Sequence, residues 1–145
     1  MRLSDIIYPS MKQTTTFVGP GRIVFGVGSR ADLAKEIRGL GGLRPLIVTY
    51  PETAMASNVH QIVRMLESDG MEVYVYDEAE PEPRIETAED LAAFTREGEF
   101  DLIVGLGGGS AMDLAKIASI SVANPGQVRD YLGFNLVPKK GAPLI

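Results

Sequence analysis

The chain has no cysteine and no tryptophan, and one histidine in 145 residues. Without cysteine there is no disulfide framework, no thiolate nucleophile and no cysteine-based zinc site. The absence of disulfides fits a reducing compartment. A single histidine, His60, cannot build a metal centre unaided. Runs of positive charge are also missing: the longest is Lys139-Lys140, and the net charge is −5 with a pI near 4.9. A nucleic-acid binder carries a basic face, so DNA, RNA and anionic membrane surfaces are excluded as expected partners. No apolar run approaches the ~20 residues that span a bilayer. The first nine residues, Met1 to Pro9, lack the apolar stretch of a signal peptide. The expected location is the cytoplasm.

What is present is an ordinary globular composition, 45% hydrophobic and 23% charged, at a length that suits one domain. After a loose arm of a dozen residues, Thr14–Val18 and Arg22–Phe25 are β-branched and aromatic. Gly19-Pro20-Gly21 between them predicts a turn, hence an N-terminal β-hairpin. Leu33, Ile37 and Leu40 recur at helical spacing, with Ser29 as the expected N-cap and Gly41-Gly42 as the stop. Three strand–helix units follow. The strands are Pro45–Thr49, Val73–Tyr76 and Leu102–Leu106. The helices are Thr53–Ser68, one running to Arg96 and opened by a capping box at Thr87-Ala88-Glu89-Asp90, and Ser110–Ala123. Alternating strands and helices imply parallel pairing, and nearly continuous apolar strands imply a sheet covered on both faces. The expected fold is α/β, a Rossmann-like parallel sheet flanked by helices, with the hairpin in front. The tail from Leu136 to Ile145 reads as a loop entering a further strand, which makes the chain an expected fragment.

The chemistry-bearing stretch is Asp101 to Lys116. A buried strand runs into Gly107, Gly108 and Gly109, and then a helix begins. Glycines allow backbone to approach a ligand closely. The first-turn amides of the helix are unpaired, and its dipole end is positive. Together they form a phosphate seat, at the carboxyl end of a strand where α/β sheets bind ligands. The bland alternative is a tight turn, though a turn rarely needs three glycines. Ser110 and Asp113 also fit a helix cap, and Lys116 fits an ordinary surface lysine. The loop is neither a P-loop, which needs Lys and Ser/Thr after its last glycine, nor the usual dinucleotide fingerprint after a first strand. The acidic run Asp77 to Glu82 reads as solvated loop charge.

Gly-Gly-Gly-Ser-x-x-Asp-x-Ala-Lys over Gly107–Lys116, with Phe25-Gly26-x-Gly28 and Leu46-Ile47-Val48-Thr49, resembles the iron-containing alcohol dehydrogenase family of the 3-dehydroquinate synthase-like superfamily. The likeness runs from about Thr14 to the end. It implies the N-terminal dinucleotide-binding domain of such an enzyme, here residues 1–145. Gly107, Gly108, Gly109 and Ser110 would hold the pyrophosphate of NAD or NADP, and Asp113 and Lys116 would line the cleft. Thr49 and Tyr50 would end the strand beside the adenosine ribose. NAD-preferring members often carry aspartate where Tyr50 stands, so its absence admits NADP. The resemblance further implies a C-terminal helical domain, absent here, binding Fe²⁺ or Zn²⁺ through an aspartate and three histidines. It implies alcohol, aldehyde or ketone substrates, and a homodimer formed through the hairpin. Residues 1–145 alone are expected to turn over no alcohol. Alternative readings are a metal-free maleylacetate-reductase-like enzyme, a glycerol-dehydrogenase-like enzyme, or a non-catalytic nucleotide-binding module.

Overall fold

The computed structural model describes Gly19 and residues 21–145, and across residues 52–57 the backbone alone. A 3-10 turn, Ser29–Asp32, leads into α1 (Leu33–Gly39), followed by β1 (Pro45–Thr49), α2 (Glu52–Ser68), β2 (Tyr74–Tyr76), α3 (Ile85–Glu97), β3 (Leu102–Leu106) and α4 (Gly109–Ala123). A second 3-10 turn spans Val128–Tyr131.

The three strands form one parallel sheet in the order β2-β1-β3. Every residue of β1 is buried, which a central strand requires. Side chains alternate between faces, and two cores result. Leu46, Val48 and Ile103 pack with Leu91 of α3 and Leu114, Ala115 and Ala118 of α4. Ile47, Leu102 and Val104 pack with Ile37 of α1 and Ile62 and Leu66 of α2. Apolar residues on successive positions are therefore needed, and those are what β1 and β3 contain. The chain returns beside β3 in parallel: Leu144 bridges Ile103, the Ile145 amide donates to the Ile103 carbonyl at 3.0 Å, and the Gly105 amide donates to the Ile145 carbonyl at 2.8 Å. The further strand expected after Leu136 thus begins at the sheet edge.

Two features set α4. A Cβ on Gly105 would stand 3.0 Å from the Ala115 Cβ, so Gly105 lets the alanine face of α4 settle close on β3. At its other end Asn124, fully buried, donates from Nδ2 to the carbonyls of Ile120 (2.8 Å) and Lys139 (2.9 Å). Its Oδ1 accepts from the Lys139 amide at 3.0 Å. Asn124 therefore does more than stop a helix: it pins the following loop, which Ser119 also holds through the Ala142 carbonyl.

Several local expectations are corrected. Ser29 is not an N-cap. Gly28, at φ +81°, precedes a 3-10 turn with no side-chain cap. Thr87 does not cap α3, which begins at Ile85 with Arg84 as N-cap. The Thr87 hydroxyl instead donates to Glu80 Oε1, as do the Arg84 amide and Nε. Glu80 is thereby no mere solvated loop charge, and these donors lower its pKa to about 2, the Thr87 hydroxyl contributing most. Of the expected hairpin, Thr14–Val18 lies outside the described residues, and Arg22–Phe25 form no strand among them.

Candidate functional site

The order β2-β1-β3 places β1 and β3 side by side, with the chain leaving β1 toward β2 and then crossing to β3. This is the point where strand order reverses, the place where open α/β sheets have their ligand crevice, outside the carboxyl ends of the strands. Thr49 and Leu106 are register partners there, so the residues that follow, Tyr50 and Gly107, face each other across it.

Gly107 turns the chain out of β3 with φ +149°, a backbone conformation that side-chain-bearing residues rarely adopt. Space forbids a side chain as well. A Cβ on Gly107 would lie 2.8 Å from Tyr50 Cε2 and 3.1 Å from the Ala111 Cβ. Gly108 is the N-cap of α4 in extended conformation, and no side chain caps the helix. The first amide turned back into the helix is that of Met112, to the Gly108 carbonyl at 3.1 Å. The amides of Gly109, Ser110 and Ala111 are therefore left without helical acceptors at the positive end of a 15-residue helix. Gly107, Gly108 and Gly109 are exposed and Ser110 is half-buried. A Cβ on Gly109 would meet nothing within 4 Å, and on Gly108 only the Tyr50 hydroxyl, at 3.6 Å. The seat is open, uncapped and built from backbone donors, which is what a phosphate requires and what a side-chain cap would have closed.

Tyr50 is half-buried, its ring packed on the core beneath α4. Thr49 is sealed from solvent. Its carbonyl accepts from the Ala79 amide at 3.1 Å and its hydroxyl has no partner. Ser110 and Asp113 do not form a capping box, since Gly108 occupies the cap. Asp113 pairs instead with Lys116, Oδ1 to Nζ at 2.8 Å, both side chains about two-thirds exposed (67% and 65%). Such a pair contributes little to stability. Asp113 also borders a hollow of about 300 Å³ between the starts of α3 and α4, with Pro83, Ile85 and Ile117. Thus Gly107–Ser110 and Tyr50 come together, and Asp113 and Lys116 sit a turn further along the helix. A hollow of about 780 Å³ opens over the other face of β3, lined by Leu33, Ile62, Val104, Leu106 and Leu144. It does not reach the glycine loop. Among the described residues no three His, Asp or Glu side chains gather as metal ligands, and no helix is long and apolar enough to cross a membrane. His60 is exposed on α2. The sequence reading missed the contribution of Ala111 to the floor of the loop and the Tyr50–Gly107 contact. Neither carries a local signal, because both depend on how β1 and α4 meet.

Residues 20–145, the glycine loop among them, match the family of iron-containing alcohol dehydrogenases. The chain belongs to that family. It is 41% identical to a long-chain-alcohol dehydrogenase of Geobacillus thermodenitrificans, over 86% of this chain and 34% of that protein. It is 35% identical to a sulfoacetaldehyde reductase of Bilophila wadsworthia, over 86% and 32%. Among solved structures, a 1,3-propanediol oxidoreductase superposes with a TM-score of 0.82 at 26% identity, covering 91% of this chain and 35% of the other. A sulfoacetaldehyde reductase of Bifidobacterium kashiwanohense in complex with NAD⁺ superposes at 0.77 and 25% identity, over 91% and 35%. This iron-containing alcohol dehydrogenase chain spans about a third of the length of the relatives it matches.

Proposed function

We propose that residues 1–145 form the N-terminal, cofactor-binding domain of an NAD(P)-dependent alcohol dehydrogenase, and that the crevice between β1 and β3 holds the dinucleotide. The observation that carries this is the uncapped, exposed start of α4, reached through Gly107 at the point where strand order reverses. The amides of Gly109, Ser110 and Ala111 donate to the diphosphate, and the Ser110 hydroxyl adds a donor at the rim. Binding through backbone dipoles explains how a chain of net charge −5 accepts an anion. Asp113 and Lys116 form the margin of the cleft, where Lys116 neutralises the carboxylate that would otherwise repel phosphate.

When bound, the nicotinamide would carry the hydride; the residues of this chain would hold the cofactor by its diphosphate. Tyr50, uncharged where a carboxylate would repel a 2′-phosphate, makes NADP(H) admissible beside NAD(H). The whole enzyme would interconvert alcohols with aldehydes or ketones. Relatives named for long-chain alcohols, sulfoacetaldehyde, choline and methanol all match this chain over about a third of their own length. Among the described residues no three His, Asp or Glu side chains gather as a metal centre. Ile23, Phe25 and Val27 are 77%, 98% and 111% exposed, apolar surface that a second copy would cover. Light scattering over a range of concentrations tests that dimer, and a strict monomer would refute it. Cofactor binding is tested by calorimetric titration of the chain with NADH, NADPH and ADP, with Gly108→Asp as the control that fills the seat with a negative charge.

A further inference from the structure

The hydroxyl of Tyr50 stands beside the glycine loop with no hydrogen-bond partner among the described residues. The ring lies along the glycine loop: its Cε2 and Cδ2 come within 2.8 and 3.1 Å of where a Gly107 Cβ would be, and its oxygen lies 3.6 Å from the corresponding position on Gly108. Chain neighbours aside, no other described heavy atom lies within 4 Å of that Gly108 position. The remaining tyrosines among the described residues are engaged or enclosed. The Tyr74 hydroxyl donates to Glu72, Tyr131 donates to the Pro125 carbonyl, and the Tyr76 oxygen is buried. Tyr50 makes no hydrogen bond among the described residues, while its ring is anchored against the core.

We propose that Tyr50 is a positioning residue of the cofactor site, its phenol hydroxyl donating to the diphosphate from the side opposite the α4 amides. The inference rests on the dinucleotide reading above. The geometry and charge argue the same way. The amides of α4 approach the seat from one wall, β1 supplies the other wall, and Tyr50 is the group β1 sends across it. A diphosphate carries two negative charges, so the second wall needs a donor without a carboxylate's repulsion. A phenol meets that need and keeps its direction, because the ring is wedged between Gly107 and the core. The contact is to the diphosphate that NAD and NADP share, so Tyr50 raises affinity for both without choosing between them.

The test is calorimetric titration of wild type and Tyr50→Phe with NADH, NADPH and ADP. The substitution keeps the ring and removes the oxygen, and its thermal midpoint should match wild type. A hydrogen bond to a charged group is worth about tenfold or more in affinity. All three ligands should weaken by the same factor of about ten, leaving the NADPH-to-NADH ratio unchanged. Wild-type affinity in Tyr50→Phe would overturn the proposal while leaving the dinucleotide site intact. Weakening confined to NADPH would overturn it too, because the hydroxyl would then serve the 2′-phosphate. Absence of binding by wild type to all three ligands would overturn the cofactor reading and this inference together.

Discussion

Replacing Gly107 by alanine separates two costs that the structure assigns to one residue. The new Cβ would meet Tyr50 Cε2 at 2.8 Å and the Ala111 Cβ at 3.1 Å, on a backbone at φ +149°. The Tyr50 ring, though packed on the core, is the far end of a side chain and yields at less cost than backbone does. The Ala111 Cβ belongs to α4 and gives only by a few tenths of an ångström. The backbone conformation cannot relax without redirecting the chain out of β3, and holding a non-glycine residue in such a region costs about 1–3 kcal/mol. For a domain of this size each kcal/mol lowers the thermal midpoint by roughly 2–4 °C. Gly107→Ala should therefore melt several degrees below wild type, read by circular dichroism. Adding Tyr50→Ala should restore only a small part of the loss, since the ring is the minor term. A Gly107→Ala protein as stable as wild type would refute the argument that the loop is conformationally constrained. Full recovery in the double variant would refute the assignment of the cost to backbone.

Other consequences follow from named contacts. Asn124→Ala removes three hydrogen bonds from a fully buried side chain. At a net 0.5–1.5 kcal/mol each it should destabilise by about 2–3 kcal/mol in urea denaturation, with faster amide exchange at Lys139. Tyr76→Phe should leave stability unchanged or raise it slightly by the same assay. Its hydroxyl is buried without a partner, and burial, first, with nearby Glu78, Asp90 and Glu80, pushes its pKa up to about 12. The Glu80 carboxyl is held at about 2 from an ordinary 4.5, so its stabilising contribution is complete above the ordinary value and lost as pH falls from there toward 2. The stability gap between wild type and Glu80→Gln should accordingly be present at neutral pH and close on acidification. A gap that persists at pH 2 would contradict the assignment.

β1 and β3 were legible to the residue because burial on both faces demands continuous apolar runs, and Pro45–Thr49 and Leu102–Leu106 are such runs. The glycine loop was legible because three consecutive glycines between a buried strand and a helix have few structural uses. Capping was not legible. Thr87 matches a cap by spacing, but it lies inside α3 and its hydroxyl donates to Glu80, and Ser29 was displaced by a turn that Gly28 initiates. These outcomes are competitions between nearby donors and acceptors, and spacing does not rank them. Tyr50 illustrates a second limit. Position marked it as the end of β1, yet its contact with Gly107 joins residues 57 positions apart through the pairing of β1 with β3. Asn124 read as helix punctuation because its second partner, Lys139, lies beyond a loop without regular pattern.

The central claim is that the start of α4 seats the diphosphate of a dinucleotide, and titration of the folded chain with NADH, before and after Gly108→Asp, tests it most directly. Wild type should bind NADH saturably at one site per chain, and Gly108→Asp should lose that binding while its circular dichroism stays unchanged. Binding that survives the aspartate, or a folded wild-type chain that takes up no NADH, would contradict it.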